Sequence, residues 1–86
     1  MTGNPVRLGN VGIRFAVEQE GVVRLAVFDL AGRKVRTLVD GFLTEGRHFV
    51  DWDGRDASGT RTRSGIYFLR YSAGEATLAR KLVVLL

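Results

Sequence analysis

The chain has 86 residues, 45% of them hydrophobic, and a formal net charge of +4, which together describe one small domain able to build a core and exclude intrinsic disorder. It contains no cysteine, which excludes a disulfide framework and a thiolate metal site. Eleven of its thirteen basic residues are arginine, but Arg7, Arg14, Arg24, Arg47, Arg70 and Arg80 stand singly inside alternating segments, the pattern of solvated strand faces rather than of a phosphate-tracking surface.

The opening, Met1 to Val6, has no apolar stretch of the secretory-leader kind. The first alternating segment carries Val11, Ile13, Phe15 and Val17 on one side and Gly12, Arg14 and Ala16 on the other, which predicts a half-buried strand. Glu18-Gln19-Glu20-Gly21 reads as a polar turn. Val23, Leu25 and Val27 continue an inward face, with Arg24 and Ala26 outward. Asp29-Leu30-Ala31-Gly32 predicts a tight connection, because Asp accepts bonds from nearby backbone N–H groups and Gly supplies a positive φ. Lys34 to Val39 returns as a strand with Val35, Leu38 and Val39 apolar. Residues 22–39 also carry helical spacing at Val23, Val27 and Leu30, but the β-branched density and Gly32 favour strands.

Asp40-Gly41 and Glu45-Gly46 bracket an expected connection holding Phe42 and Leu43, read as a plug for the end of the fold or an exposed tip. His48, Val50 and Trp52 form the next inward face, with Phe49 and Asp51 opposite. A turn-rich loop, Asp53 to Ser64, leads to a segment where Tyr67, Leu69 and Tyr71 alternate with Ile66, Phe68 and Arg70. Both faces are apolar at its start, as in a central strand. Ser72 to Glu75 is a hairpin turn. The last segment, Thr77 to Leu86, places Leu78, Leu82, Val84 and Leu86 on one face, and its apolar run from Leu82 is far too short to span a membrane. Short strands at this spacing predict an all-β antiparallel sandwich forming one domain over residues 1–86. Trp52 is expected in its core against Tyr67, Leu25 and Val27.

Candidate chemistry is sparse. Asp51, Asp53 and Asp56 around Gly54 resemble a fragment of a calcium loop, but Arg55 stands where such a loop needs an oxygen donor and Thr62 where it needs a bidentate glutamate. The carboxylates read better as turn caps and arginine partners. His48 is the single histidine, read as partly buried and structural. No nucleophile–base pair, paired carboxylates, Walker loop or dinucleotide fingerprint is present in the sequence. We therefore expect no catalytic residue, no cofactor and no metal. Asp29, Gly32, Arg33, Asp53, Gly54, Gly59 and Gly65 are read as structural turn residues.

Val27-Phe28-Asp29 with Gly32-Arg33-Lys34-Val35, then Gly46-Arg47-His48, Trp52-Asp53-Gly54-Arg55-Asp56 with Gly59, Ser64-Gly65-Ile66-Tyr67-Phe68, and Arg80-Lys81-Leu82-Val83 follow one another in order. This series resembles the C-terminal sorting domains of the type IX secretion system, and the same pattern is shared with the Ig-like domain of the flagellar hook-capping protein. The resemblance covers residues 4–86, opening at Asn4-Pro5. It implies an Ig-like sandwich of about seven strands, carried as the C-terminal module of a larger exported bacterial protein. It also implies a role as a secretion and surface-sorting signal, with a structural spacer or assembly module as the alternative. The implied partners are a secretion translocon or surface-processing protein and the covalently attached cargo. The implied location is secreted or at the cell surface, by way of the periplasm. Neither nucleic acid nor membrane insertion is expected, and the domain should be a monomer. Arg80, Lys81, Leu82, Val83 and Val84 are the candidate partner-binding residues, through β-augmentation by the terminal strand.

Overall fold

Seven strands are arranged in two antiparallel sheets in a computed structural model of the chain, which describes residues 2–3 and 10–85. Met1, Asn4, Pro5, Val6, Arg7 and Leu86, named above, lie outside the described residues. Strands β1 (Thr2–Gly3), β2 (Val11–Val17) and β5 (Gly46–Trp52) form the smaller sheet, in the order β1-β2-β5. Strands β3 (Gly21–Phe28), β4 (Lys34–Leu43), β6 (Gly65–Ala73) and β7 (Ala76–Val84) form the larger, in the order β4-β3-β6-β7. The expected Ig-like antiparallel sandwich is present. Six of its strands have seven to ten residues, and the seventh, β1, has two.

The core comes from the inward phase of both sheets. Val11, Ile13, Phe15, Val17 and Trp52 from one sheet meet Val23, Leu25, Val27, Leu69, Tyr71, Leu82 and Val84 from the other. Each such side chain, fully buried, contributes about 1.5–3 kcal/mol of transfer free energy. Trp52 lies edge-on to Tyr67, with ring centroids 6.1 Å apart, in the same cluster as Leu25 and Val27. Phe15 contacts both Tyr71 and His48, at centroid distances of 5.8 and 5.6 Å. His48 is half-buried, and its Nε2 lies 2.7 Å from the Thr44 carbonyl oxygen.

The pairing leaves no helix in residues 22–39, which form the β3–β4 hairpin. Three expectations are corrected. First, Phe42 and Leu43 belong to β4, which runs through Asp40-Gly41 instead of stopping at Val39. Gly21↔Leu43 and Val22↔Phe42 continue the ladder, so the two residues form a strand end rather than a loop, with Leu43 packed against the core and Phe42 exposed. Second, Ala26, expected to be exposed, is buried. It does face outward, but its short side chain sits between Thr37 and Arg70, its register partners on the two flanking strands, and both are longer. Third, Leu78 shares the face of Leu82 and Val84, opposite Tyr71, yet is 41% exposed rather than buried. β7 is the outermost strand of its sheet, and the facing strands cover it at Leu82 and Val84 but not at Leu78.

The irregular apolar spacing of β4 also has a cause. The register against β3 shifts between Leu25 and Ala26 and again between Val27 and Phe28. Leu38 and Val35 are the residues skipped, so each shift is a β-bulge that inserts an unpaired residue. The bulges let Val35, Leu38 and Val39 all pack on the core, which strict alternation would forbid.

Two of the three connections that cross between the sheets run side by side. Residues 18–20 and 44–45 leave the same end of the hairpin, so that Gly21↔Leu43 closes one sheet where Val17↔Gly46 closes the other.

Candidate functional site

The polar groups of the molecule are organised by two turns built to one plan. In the first, the Asp29 carbonyl accepts the Gly32 N–H at 3.0 Å, and the Asp29 N–H is donated to the Arg33 carbonyl at 3.0 Å. The Arg33 N–H then returns to Asp29 Oδ1 at 2.9 Å. In the second, the Asp56 carbonyl accepts the Gly59 N–H at 3.0 Å, the Asp56 N–H reaches the Thr60 carbonyl at 2.8 Å, and the Thr60 N–H reaches Asp56 Oδ1 at 3.0 Å. Gly32 and Gly59 occupy the same position with φ of 83° and 89°. That left-handed conformation costs an L-residue about 1–2 kcal/mol, which is why both sequences read Asp-x-x-Gly. The shared spacing was available in the sequence, where the two segments read as connections of different tightness.

The carboxylates respond alike. The Arg33 backbone N–H, aided by the nearby guanidinium, holds the Asp29 carboxyl below the usual carboxylate range. The Ser58 hydroxyl, followed by the Thr60 N–H, does the same for Asp56. Both groups prefer the charged form in the folded state, so their contribution is complete above the unfolded carboxyl pKa of about 3.9. It is lost as pH falls through the lowered folded-state values. Melting temperature is therefore expected to fall on the acid side of that range. Asp29→Asn with Asp56→Asn should flatten this acid limb, since the amide keeps an acceptor oxygen and no longer titrates. An identical acid limb in the double variant would count against the assignment.

Between the strands, the loop from Asp53 to Ser64 docks on β4. Asp53 Oδ1 accepts the Arg55 N–H at 2.9 Å across Gly54, which is buried with φ of 74°. The Gly54 carbonyl accepts both the N–H and the Oγ1 hydroxyl of Thr62, at 2.8 and 2.9 Å. Trp52 Nε1 donates to the Arg55 carbonyl at 2.9 Å, so the core tryptophan also holds the loop. From the other side, Arg36 inserts one guanidinium nitrogen toward the carbonyls of Arg55 and Asp56, both at 3.2 Å, and Asp53 Oδ1 at 3.4 Å. The Ala57 N–H completes the junction on the Val35 carbonyl at 3.1 Å. The cleft left beside this junction is an open groove of about 500 Å³, lined by Lys34, Arg36 and Arg55 together with Asp53 and Asp56.

The expected turn residues are thus placed as follows. Asp29, Gly32 and Arg33 make the first turn, with Arg33 Nε also 3.2 Å from Asp29 Oδ2. Asp53, Gly54 and Gly59 make the docked loop, and Gly65 opens β6 opposite Val84. The carboxylates in question are occupied as caps: Asp56 Oδ1 accepts the Ser58 N–H at 3.0 Å and its hydroxyl at 2.7 Å. Among the described residues, no group of three or more His, Asp or Glu side chains is placed to hold a metal ion. Of the candidate partner residues, Arg80, Lys81 and Val83 are exposed, whereas Leu82 and Val84 are core residues. Among the described strands β7 pairs only with β6. Arg36 was missed as a site residue, because a guanidinium in an alternating segment carries no sign that its partners lie on a later loop.

The arrangement fixes turns, docks a loop and presents faces. The model of one protein family, described as the FlgD Ig-like domain, matches residues 6–77. No curated protein and no solved structure matches the chain.

Proposed function

The chain belongs to the FlgD Ig-like domain family, and from that premise we propose that it is a non-catalytic structural module, a spacer or assembly unit of a larger multidomain surface protein or hook-capping protein. The match across residues 6–77 carries this reading. The geometry is consistent with it, because most of the side-chain hydrogen bonds fix turns and dock a loop. A rigid sandwich with pinned loops suits a part that sets the distance and orientation of its neighbours.

A second reading is a secretion and sorting signal, recognised by a translocon or surface-processing protein after passage through the periplasm. The outer edge of β7 favours it, since a strand paired on one side offers backbone groups to an incoming strand. Two fusions separate the readings. Placed between two reporter domains, the chain is expected to keep its melting temperature and hold the reporters at one fixed separation. Placed at the end of an inert periplasmic reporter, in a bacterium with a type IX system, it is expected to leave the reporter in the periplasm. Reporter outside the cell would overturn the structural reading in favour of sorting.

A further inference from the structure

The outward face of the larger sheet divides into rows, and one end of it differs from the rest. At mid-sheet Arg24 pairs across to Asp40 at 3.3 Å, an ordinary solvated row. Toward the other end, Phe28 and Phe68 are direct cross-strand neighbours. The next outward pair is Ile66 with Val83. Ile66, Phe68 and Val83 are 41%, 36% and 48% exposed. Neighbours in register and along one strand, these four side chains make one contiguous apolar surface rather than scattered residues.

Cations frame that surface. Lys34 is the register partner of Phe28 on one side, and Lys81 is the register partner of Phe68 on the other. The Arg70 guanidinium lies 4.4 Å above the Phe28 ring. No carboxylate occupies these rows, and the closest in the chain, Asp29, is bonded to Arg33. The apolar centre is therefore bordered by cations that make no ion pair among the described residues, although Lys34 also lines the groove that holds Asp53 and Asp56.

We propose that this end of the sheet is a docking face for a protein segment that presents apolar side chains flanked by Asp or Glu. Charge complementarity selects that occupant. A second copy of the chain would set Lys34, Arg70 and Lys81 against their own counterparts, in a molecule already at +4. A lipid surface is a poorer match. The apolar side chains stand on the pleated face of a sheet, in register with the cationic ones, instead of at a loop tip that could enter an acyl layer. Lys81 and Val83 lie on this face, while Leu82 and Val84 between and beside them point into the core, so β7 contributes alternate residues only. The proposal goes beyond the family reading and does not draw on it.

The test uses the full chain, labelled for amide NMR, and three probes: a short synthetic peptide alternating glutamate with phenylalanine, its lysine-for-glutamate counterpart, and phosphatidylglycerol vesicles. The glutamate peptide is expected to shift the amides of Phe28, Ile66, Phe68 and Val83, more tightly at low salt. Lys34→Glu with Lys81→Glu should weaken it about tenfold at an unchanged melting temperature, since both lysines are exposed. Phe68→Thr, which keeps a strand-forming residue, should weaken it as well. The proposal is overturned if the glutamate peptide does not bind, if the lysine peptide binds equally, or if the folded charge variants bind it undiminished. Vesicles that shift the same amides would reassign the face to a membrane. Self-association through these residues in sedimentation would reassign it to a homodimer.

Discussion

Trp52→Ala is expected to leave the domain without a stable fold at room temperature. Trp52 is 1% exposed, and truncating such a side chain to alanine costs about 3–5 kcal/mol. Natural domains have about 5–15 kcal/mol in total, and one this small sits at the low end. The indole also joins two parts of the molecule: its ring packs edge-on against Tyr67, and its Nε1 holds the Arg55 carbonyl of the docked loop. Trp52→Phe separates the two roles. It keeps most of the ring and drops the hydrogen bond, so it should fold with a loss of about 1 kcal/mol for that bond plus a cavity term. Far-UV circular dichroism and urea titration read both variants. A Trp52→Ala protein with a native-like spectrum and a cooperative transition near that of the parent would contradict this account of the core.

Arg36→Ala is expected to loosen the loop from Asp53 to Ser64 and to lower stability by about 1.5–3 kcal/mol, the range for hydrogen bonds made by a charged group. The cost comes from the Arg55 and Asp56 carbonyls that lose a cationic donor, rather than from the ion pair to Asp53. That pair is 3.4 Å long, with side chains 35% and 50% exposed, and pairs of this kind contribute little. Arg36→Lys should recover only part of the loss, because an ammonium is a point charge and does not reproduce the planar fork. Amide hydrogen exchange should rise between Asp56 and Thr62 in the alanine variant, while β3 and β6 stay protected. Unchanged exchange throughout the loop would show that the Ala57–Val35 and Trp52–Arg55 bonds are enough to dock it.

The strands were legible wherever one face meets the core and the other meets water, because period-two alternation is the direct imprint of that difference. β2, β5 and β6 follow it residue by residue. β4 does not, since its two bulges place Val35 and Leu38 out of phase, and a bulge is decided by the partner strand rather than by the bulged segment. Ala26 and Leu78 escaped the reading for a related reason: the sequence gives side-chain direction but not what stands beside or across from it. Turn residues were found one by one from their backbone preferences. The identity of the Asp29 and Asp56 turns became visible only when their hydrogen bonds could be compared. The face carrying Phe28, Ile66, Phe68 and Val83 was legible only as a strand apolar on both sides, because its cationic frame comes from three different strands.

The paired crossovers bear on how the molecule assembles in time. β2 and β5 are distant in the chain and would ordinarily have to find each other across a long, entropically costly loop. That loop is occupied by the β3–β4 hairpin, whose own ends meet at Gly21 and Leu43. Once the hairpin has formed, only residues 18–20 and 44–45 separate it from Val17 and Gly46, and the smaller sheet can zip from there at little further cost. The Asp29–Gly32 turn thus acts at a distance from its own contacts: it is the local event that makes the non-local sheet kinetically accessible. A substitution such as Gly32→Val is therefore expected to slow folding more than it speeds unfolding, which stopped-flow folding and unfolding rates would check.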